Sequence, residues 1–150
     1  MPFKLPKIAE PFFKEIDKSS SNFSYEFDKY FLSLMVGLDN RRLGPDQDIK
    51  KDYFVDNFPG KYNDVKGHIV ALLIEAELER RGISSQDRDN VERVILSLVD
   101  HESKNWLKKE GIDLLNKYSA GGMAIIWEKI QKHPTLEGFL VAYFNEFFPG

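Results

Sequence analysis

Asp100, His101 and Glu102 stand side by side within Leu-Val-Asp-His-Glu-Ser-Lys-Asn-Trp, residues 98–106. An imidazole between two carboxylates could relay a proton or share a metal ion. Either use requires the three groups to converge. On a helix, adjacent side chains diverge by about 100°. Measured from Val91, Asp100 then points away from the apolar stripe, His101 lies on its flank, and Glu102 falls in line with it. The three cannot meet on one ion, so the run reads as a solvated helix end.

Other combinations fare no better. His68, Glu75 and Glu79 share one flank of a helix, but His68 and Glu75 are about 10 Å apart along it. His-x-x-x-His and Glu-x-x-His pairings of a helical zinc site are absent from the sequence. Asp46 and Asp48 start like a calcium loop, but Lys50 falls where a third ligand belongs. Gly121-Gly122 has no neighbouring lysine and follows a helix, unlike a phosphate-binding loop. The chain has no cysteine, which excludes disulfides, thiolate zinc sites and cysteine nucleophiles. That fits a reducing, cytoplasmic setting.

The elements that would carry these residues are helical. Phe23, Phe27, Tyr30, Phe31, Leu34 and Leu38 repeat at the spacing of one buried stripe over 23–38, with Ser21 or Asn22 as cap. Residues 46–62 are ambiguous between a short helix and a strand. Asn63 and Gly82 bracket a helix over 63–82, with Val65, Ile69, Leu72, Leu73 and Ala76 inward and Val70, Ile74 and Leu78 widening the stripe. Ser84 or Ser85 caps the next, whose stripe is Val91, Val94, Ile95, Leu98 and Val99. Leu107 is about 160° out of phase with Val91. The chain must therefore bend between Glu102 and Lys104, with Ser103 capping a helix over 105–119. Gly121-Gly122 is expected to break the chain before a short helix carrying Met123, Ile126, Trp127 and Ile130. Thr135 caps a last helix with Leu136, Leu140, Tyr143, Phe144 and Phe147 inward. The fold class is all-α: a single-domain bundle of about six helices over 22–150, preceded by an arm over 1–21. Pro2, Pro6 and Pro11 punctuate that arm, and Ser19-Ser20-Ser21 form a hinge.

Composition narrows the function classes. The net charge of −3 provides no general attraction to nucleic acid or an anionic surface. Arg41-Arg42 and the lysines at 104, 108 and 109 are interleaved with acidic residues, so no basic stripe tracks a phosphate backbone. The N-terminus lacks the apolar run of a signal peptide, and no segment reaches the length of a membrane span. Twelve phenylalanines are the unusual count. They imply a bulky core or an aromatic surface that a partner covers.

Val65-Lys66-Gly67-His68 resembles the start of the distal haem helix of globins. That resemblance implies haem held in the helical core, with His68 distal and His101 as the proximal iron ligand.

The expected function is a non-catalytic protein-interaction module: an adaptor, an assembly subunit, or an immunity- or inhibitor-type protein. Phe12, Phe13, Phe147 and Phe148 would be buried against the partner, another protein or a second copy, with Arg41 and Arg42 orienting it at the rim. No cofactor, membrane or nucleic acid is required. The alternatives are globin-like haem or small-ligand binding through His68 and His101, and an enzyme whose catalytic groups meet only in the fold.

Overall fold

The computed structural model describes residues 3–18 and 26–150; the serine hinge, the Ser21 or Asn22 cap and Phe23 lie outside them. Among the described residues the helices are α1 (Ala9–Phe12), α2 (Lys14–Lys18), α3 (Glu26–Asp39), α4 (Lys66–Arg80), α5 (Arg88–Leu98), α6 (Lys109–Lys129) and α7 (Leu136–Phe147). They contain no β-strand, only three isolated bridges, and the fold is the all-α bundle that the apolar periodicities require.

The chain does not break at Gly121-Gly122. α6 runs unbroken through both glycines for 21 residues. Their purpose is the crossing with α3. A Cβ on Gly122 would collide with the Ser33 carbonyl, one on Gly121 with the Arg42 carbonyl, and one on Gly37 with the Tyr118 carbonyl. A mid-helix glycine costs about 1 kcal/mol against alanine, and the close approach of the two backbones offsets it here. Small hydroxyls fasten the seam. Ser119 Oγ donates to the Tyr30 carbonyl at 3.2 Å, and Ser33 Oγ reaches Met123 Sδ of α6 at 3.3 Å.

Two hydrophobic clusters flank this pair. The first gathers Phe27, Tyr30 and Leu34 of α3 with Ile69 and Leu73 of α4, Val94 and Leu98 of α5, and Ile112 and Leu115 of α6. The second gathers Val36, Met123, Ile126, Phe139 and Tyr143. The N-terminal arm supplies both: Phe3 and Leu5 enter the first, and Ala9, Phe12, Phe13 and Ile16 the second. Its backbone lies antiparallel to the ambiguous segment 46–62. Phe3 N donates to the Val55 carbonyl (3.0 Å), Lys7 N to Asp48 (2.8 Å), and Lys50 N to Leu5 (2.9 Å). Apart from two 3-10 turns, at Asp46–Asp48 and Gly60–Tyr62, that segment is neither helix nor strand. Lys29 ties the arm to α3. Its ammonium is buried and paired with Asp17 of α2 at 2.7 Å and with Glu26 at 3.0 Å.

Helix starts depart from expectation where side chains do not reach the free amides. α4 begins at Lys66 without a side-chain cap, not at Asn63. α5 is capped by Asp87, which accepts from Asn90 N, while Ser84 closes its own turn with Gln86. Gly82 adopts φ +69° just past α4, as a terminating glycine should. Thr135 caps α7, accepting from Gly138 N at 3.1 Å.

Candidate interaction surface

The acidic-imidazole run lies in the loop between α5 and α6, closed by an antiparallel bridge between Val99 and Leu107. The change of buried face thus falls where the phase shift of Leu107 requires. Asp100 accepts from the Glu102 amide at 3.1 Å, and His101 and Glu102 are exposed. Ser103 does not cap α6; its hydroxyl donates to the Asp100 and Leu107 carbonyls. His68 is exposed on the first turn of α4. Both histidines that the globin likeness singles out therefore lie at the surface. No group of three or more His, Asp or Glu side chains placed to hold a metal occurs among the described residues.

The same loop holds Trp106 at φ +61°, a left-handed conformation unusual for a bulky residue. Its surroundings account for it. Buried Asn105 accepts from the Phe58 amide at 3.0 Å and donates to the Asp56 carbonyl at 2.9 Å. The indole then lies on Gly67, with the Lys66 ammonium 4.4 Å from the ring. Packing over-determines the strained turn.

Sequence reasoning missed Glu77. Its carboxylate is fully buried and accepts from the Tyr118 hydroxyl (2.6 Å), both arms of Arg80 (2.8 Å) and Arg81 (2.8 Å). Burial raises its pKa, but the Arg80 fork, the Tyr118 hydroxyl and Arg81 outweigh that and hold it at about 2. Burial, then the Glu77 bond, push the Tyr118 phenol well above its ordinary value. Neither group exchanges a proton near neutral pH, so the cluster is a structural anchor between α4 and α6 rather than an acid–base pair. The signal was in the sequence. Ile69, Leu73 and Glu77 repeat every fourth residue, and Arg80 and Arg81 follow at the spacings that bring them beside Glu77.

The expected contact residues divide. Phe12 and Phe13 are buried in the second cluster, 2% and 0% exposed, because the arm folds back on its own domain. They are not available to a partner. Arg41 is bound to Glu79 (2.9 Å), Glu75 (3.3 Å) and the Leu38 carbonyl (2.7 Å). Arg42 faces Glu128 of α6 at 3.7 Å. The two arginines serve α4 and α6, not α7.

The C-terminal helix does present an apolar face. Phe139 and Tyr143 are its buried anchors, and Leu136, Leu140 and Phe147 pack beside them. Phe144, expected inward, is 51% exposed instead. The helix is rotated so that Phe139, absent from the expected stripe, takes the central place. Val141, Phe144 and Phe148 consequently form one outward stripe at the i, i+3, i+7 spacing, 62%, 51% and 39% exposed. Glu137 and Glu146 are exposed on the same helix, which has no lysine or arginine. Phe148 remains anchored, its ring 5.8 Å from Tyr143.

No protein-family model, curated protein or solved structure matches this chain. No helix among the described residues is long and apolar enough to cross a membrane.

Proposed function

We propose that the protein is a non-catalytic interaction module that docks another protein on the outer face of α7. One observation carries this reading: Val141, Phe144 and Phe148 are exposed in line, whereas the aromatic residues of the arm and of α3 are almost all withdrawn into the two clusters. A contiguous apolar stripe with polar neighbours is the usual centre of a protein interface. Glu137, one turn before Val141, lies on the same side of the helix, and α7 carries no lysine or arginine. The partner that fits has an apolar ridge bordered by lysine or arginine.

Phe144→Asp tests this directly, because Phe144 is half-exposed and its loss spares the core. The wild-type chain should form a complex with a basic-rimmed partner, and complex formation should protect the amides of α7 from hydrogen exchange. Phe144→Asp should weaken that complex by more than tenfold, corresponding to at least ~1.4 kcal/mol, with unchanged helical circular dichroism. Binding that survives the substitution, or protection elsewhere than α7, overturns the assignment. Loss of self-association on the same substitution would make the partner a second copy of this chain.

A further inference from the structure

A second feature lies away from α7, where three segments meet. Lys4 of the arm, Lys50 and Lys51 after the first 3-10 turn, and Lys109 and Lys117 of α6 line one cleft of about 340 Å³, with Asp46, Asp113, Ile49 and Asn116. Five lysines and two aspartates line it on a chain whose overall charge is −3. The internal pairs neutralise this only in part. Lys109 meets Asp113 at 2.7 Å, Lys117 meets Asp46 at 3.9 Å, and Lys50 turns to Glu10 at 3.0 Å. Lys4 and Lys51 enter no ion pair among the described residues. Gathering like charges in a concave site is unfavourable unless an anion neutralises them, and such a cleft concentrates anions from solution.

The lining sets the class of anion. The volume is at the small end of ligand sites, which run from about 300 to 1,000 Å³. No aromatic ring lines it, so nothing is there to stack on a nucleobase. Lysines are freely rotating point charges without the fixed fork of arginine, and suit several phosphoryl groups more than one planar carboxylate. Asn116 forms a rigid wall. Its side-chain oxygen accepts from Tyr30 at 2.8 Å and from the Lys4 amide at 3.1 Å, which also fixes where Lys4 enters. We propose that this cleft binds a compact polyphosphorylated small molecule, with Lys4, Lys51 and Lys117 as its principal charge partners. The site links the arm to α6, so occupancy would also hold the arm in place.

Calorimetric titration of the full chain with inorganic triphosphate at low salt tests this. One equivalent should bind and raise the melting temperature, with affinity falling as salt is added. The double variant Lys4→Gln/Lys51→Gln should bind at least about tenfold more weakly. Lys14→Gln/Lys18→Gln, on the exposed face of α2, should bind as the wild type does. Absent binding, or equal loss in both variants, overturns the proposal. So does a short RNA or an anionic phospholipid vesicle that binds more tightly through the same lysines, since the source of phosphate would then be a polymer or a surface. Phe144→Asp should leave triphosphate binding unchanged, which keeps this site separate from the α7 reading.

Discussion

At Glu77 a single carboxylate joins two helices, and its charge state sets how much the joint contributes. The folded-state pKa is near 2 against an ordinary value of 4.5. A depressed pKa means that the unfolded chain binds the proton more readily. The stabilisation is therefore complete above pH 4.5 and is lost as pH falls toward 2. Its size is on the order of 3 kcal/mol. Glu77→Gln should lower stability by roughly that amount at pH 7, and the gap between variant and wild type should close between pH 4.5 and 2. Urea melts across that range measure it, and a gap independent of pH would show that Glu77 is not held ionised by Arg80, Arg81 and Tyr118. This residue shows why polar sites were hard to read. The Ile69 and Leu73 stripe was legible and Arg80 and Arg81 stand within reach of Glu77 along the helix, but its third partner, Tyr118, is 41 positions away. Lys29 and Asp17 pose the same problem. The run at Asp100 to Glu102 was read as a helix end, whereas it lies in a loop past α5, with Asp100 turned back on the Glu102 amide and His101 and Glu102 exposed.

The long helices were legible from spacing, and their errors share one cause. Propensity describes a helix alone, whereas Gly121-Gly122 and Phe139 answer to neighbours. α6 survives its two glycines because α3 occupies the space that side chains would fill. Gly122→Ala separates the two influences. In an exposed helix the change stabilises by about 1 kcal/mol. Here the added methyl meets the Ser33 carbonyl, and overpacking of this kind costs about 1–3 kcal/mol. The expected result is net destabilisation, seen as a lower denaturation midpoint with an unchanged slope. A more stable variant would mean that α3 and α6 do not cross this closely. α7 offers the converse lesson. Leu136, Leu140, Tyr143 and Phe147 were read correctly as inward, but a helix rich in phenylalanine has more apolar residues than one face can bury. Which one is left out depends on the rotation fixed by Phe13 against Phe139, rings 5.0 Å apart, and periodicity cannot supply that. The candidate surface was thus legible as a region, through Phe148, and not as the residues Val141 and Phe144.

Across the whole molecule, the arm and the buried phenols make the two clusters one cooperative unit. The arm's apolar residues could be recognised in the sequence, but its path in cis could not. Phe3 pairs with a segment some fifty positions on, through backbone bonds that leave no periodic trace. Tyr30, Tyr62, Tyr118 and Tyr143 are all buried, and each donates its hydroxyl inward: to Asn116, Asp28, Glu77 and the Leu32 carbonyl. Burial raises all four phenols above their ordinary value, and the carboxylates of Asp28, Glu77 and Asp39 raise Tyr62, Tyr118 and Tyr143 further. In the unfolded chain they would ionise near pH 10. Above that pH the unfolded state binds fewer protons than the folded one, so stability falls with rising pH, by up to about 1.4 kcal/mol per unit for each phenol. Four acting together would remove roughly 5 kcal/mol per unit, comparable to the entire stability of a domain this size. In a Tyr25→Phe/Tyr53→Phe background, which leaves only these four of the six tyrosines, alkaline titration should show tyrosinate absorbance and loss of helical circular dichroism rising together in one step between about pH 11 and 12. Gradual tyrosinate formation from pH 10 with the helices intact would mean that these hydroxyls reach solvent, and that the arm does not seal the core around them.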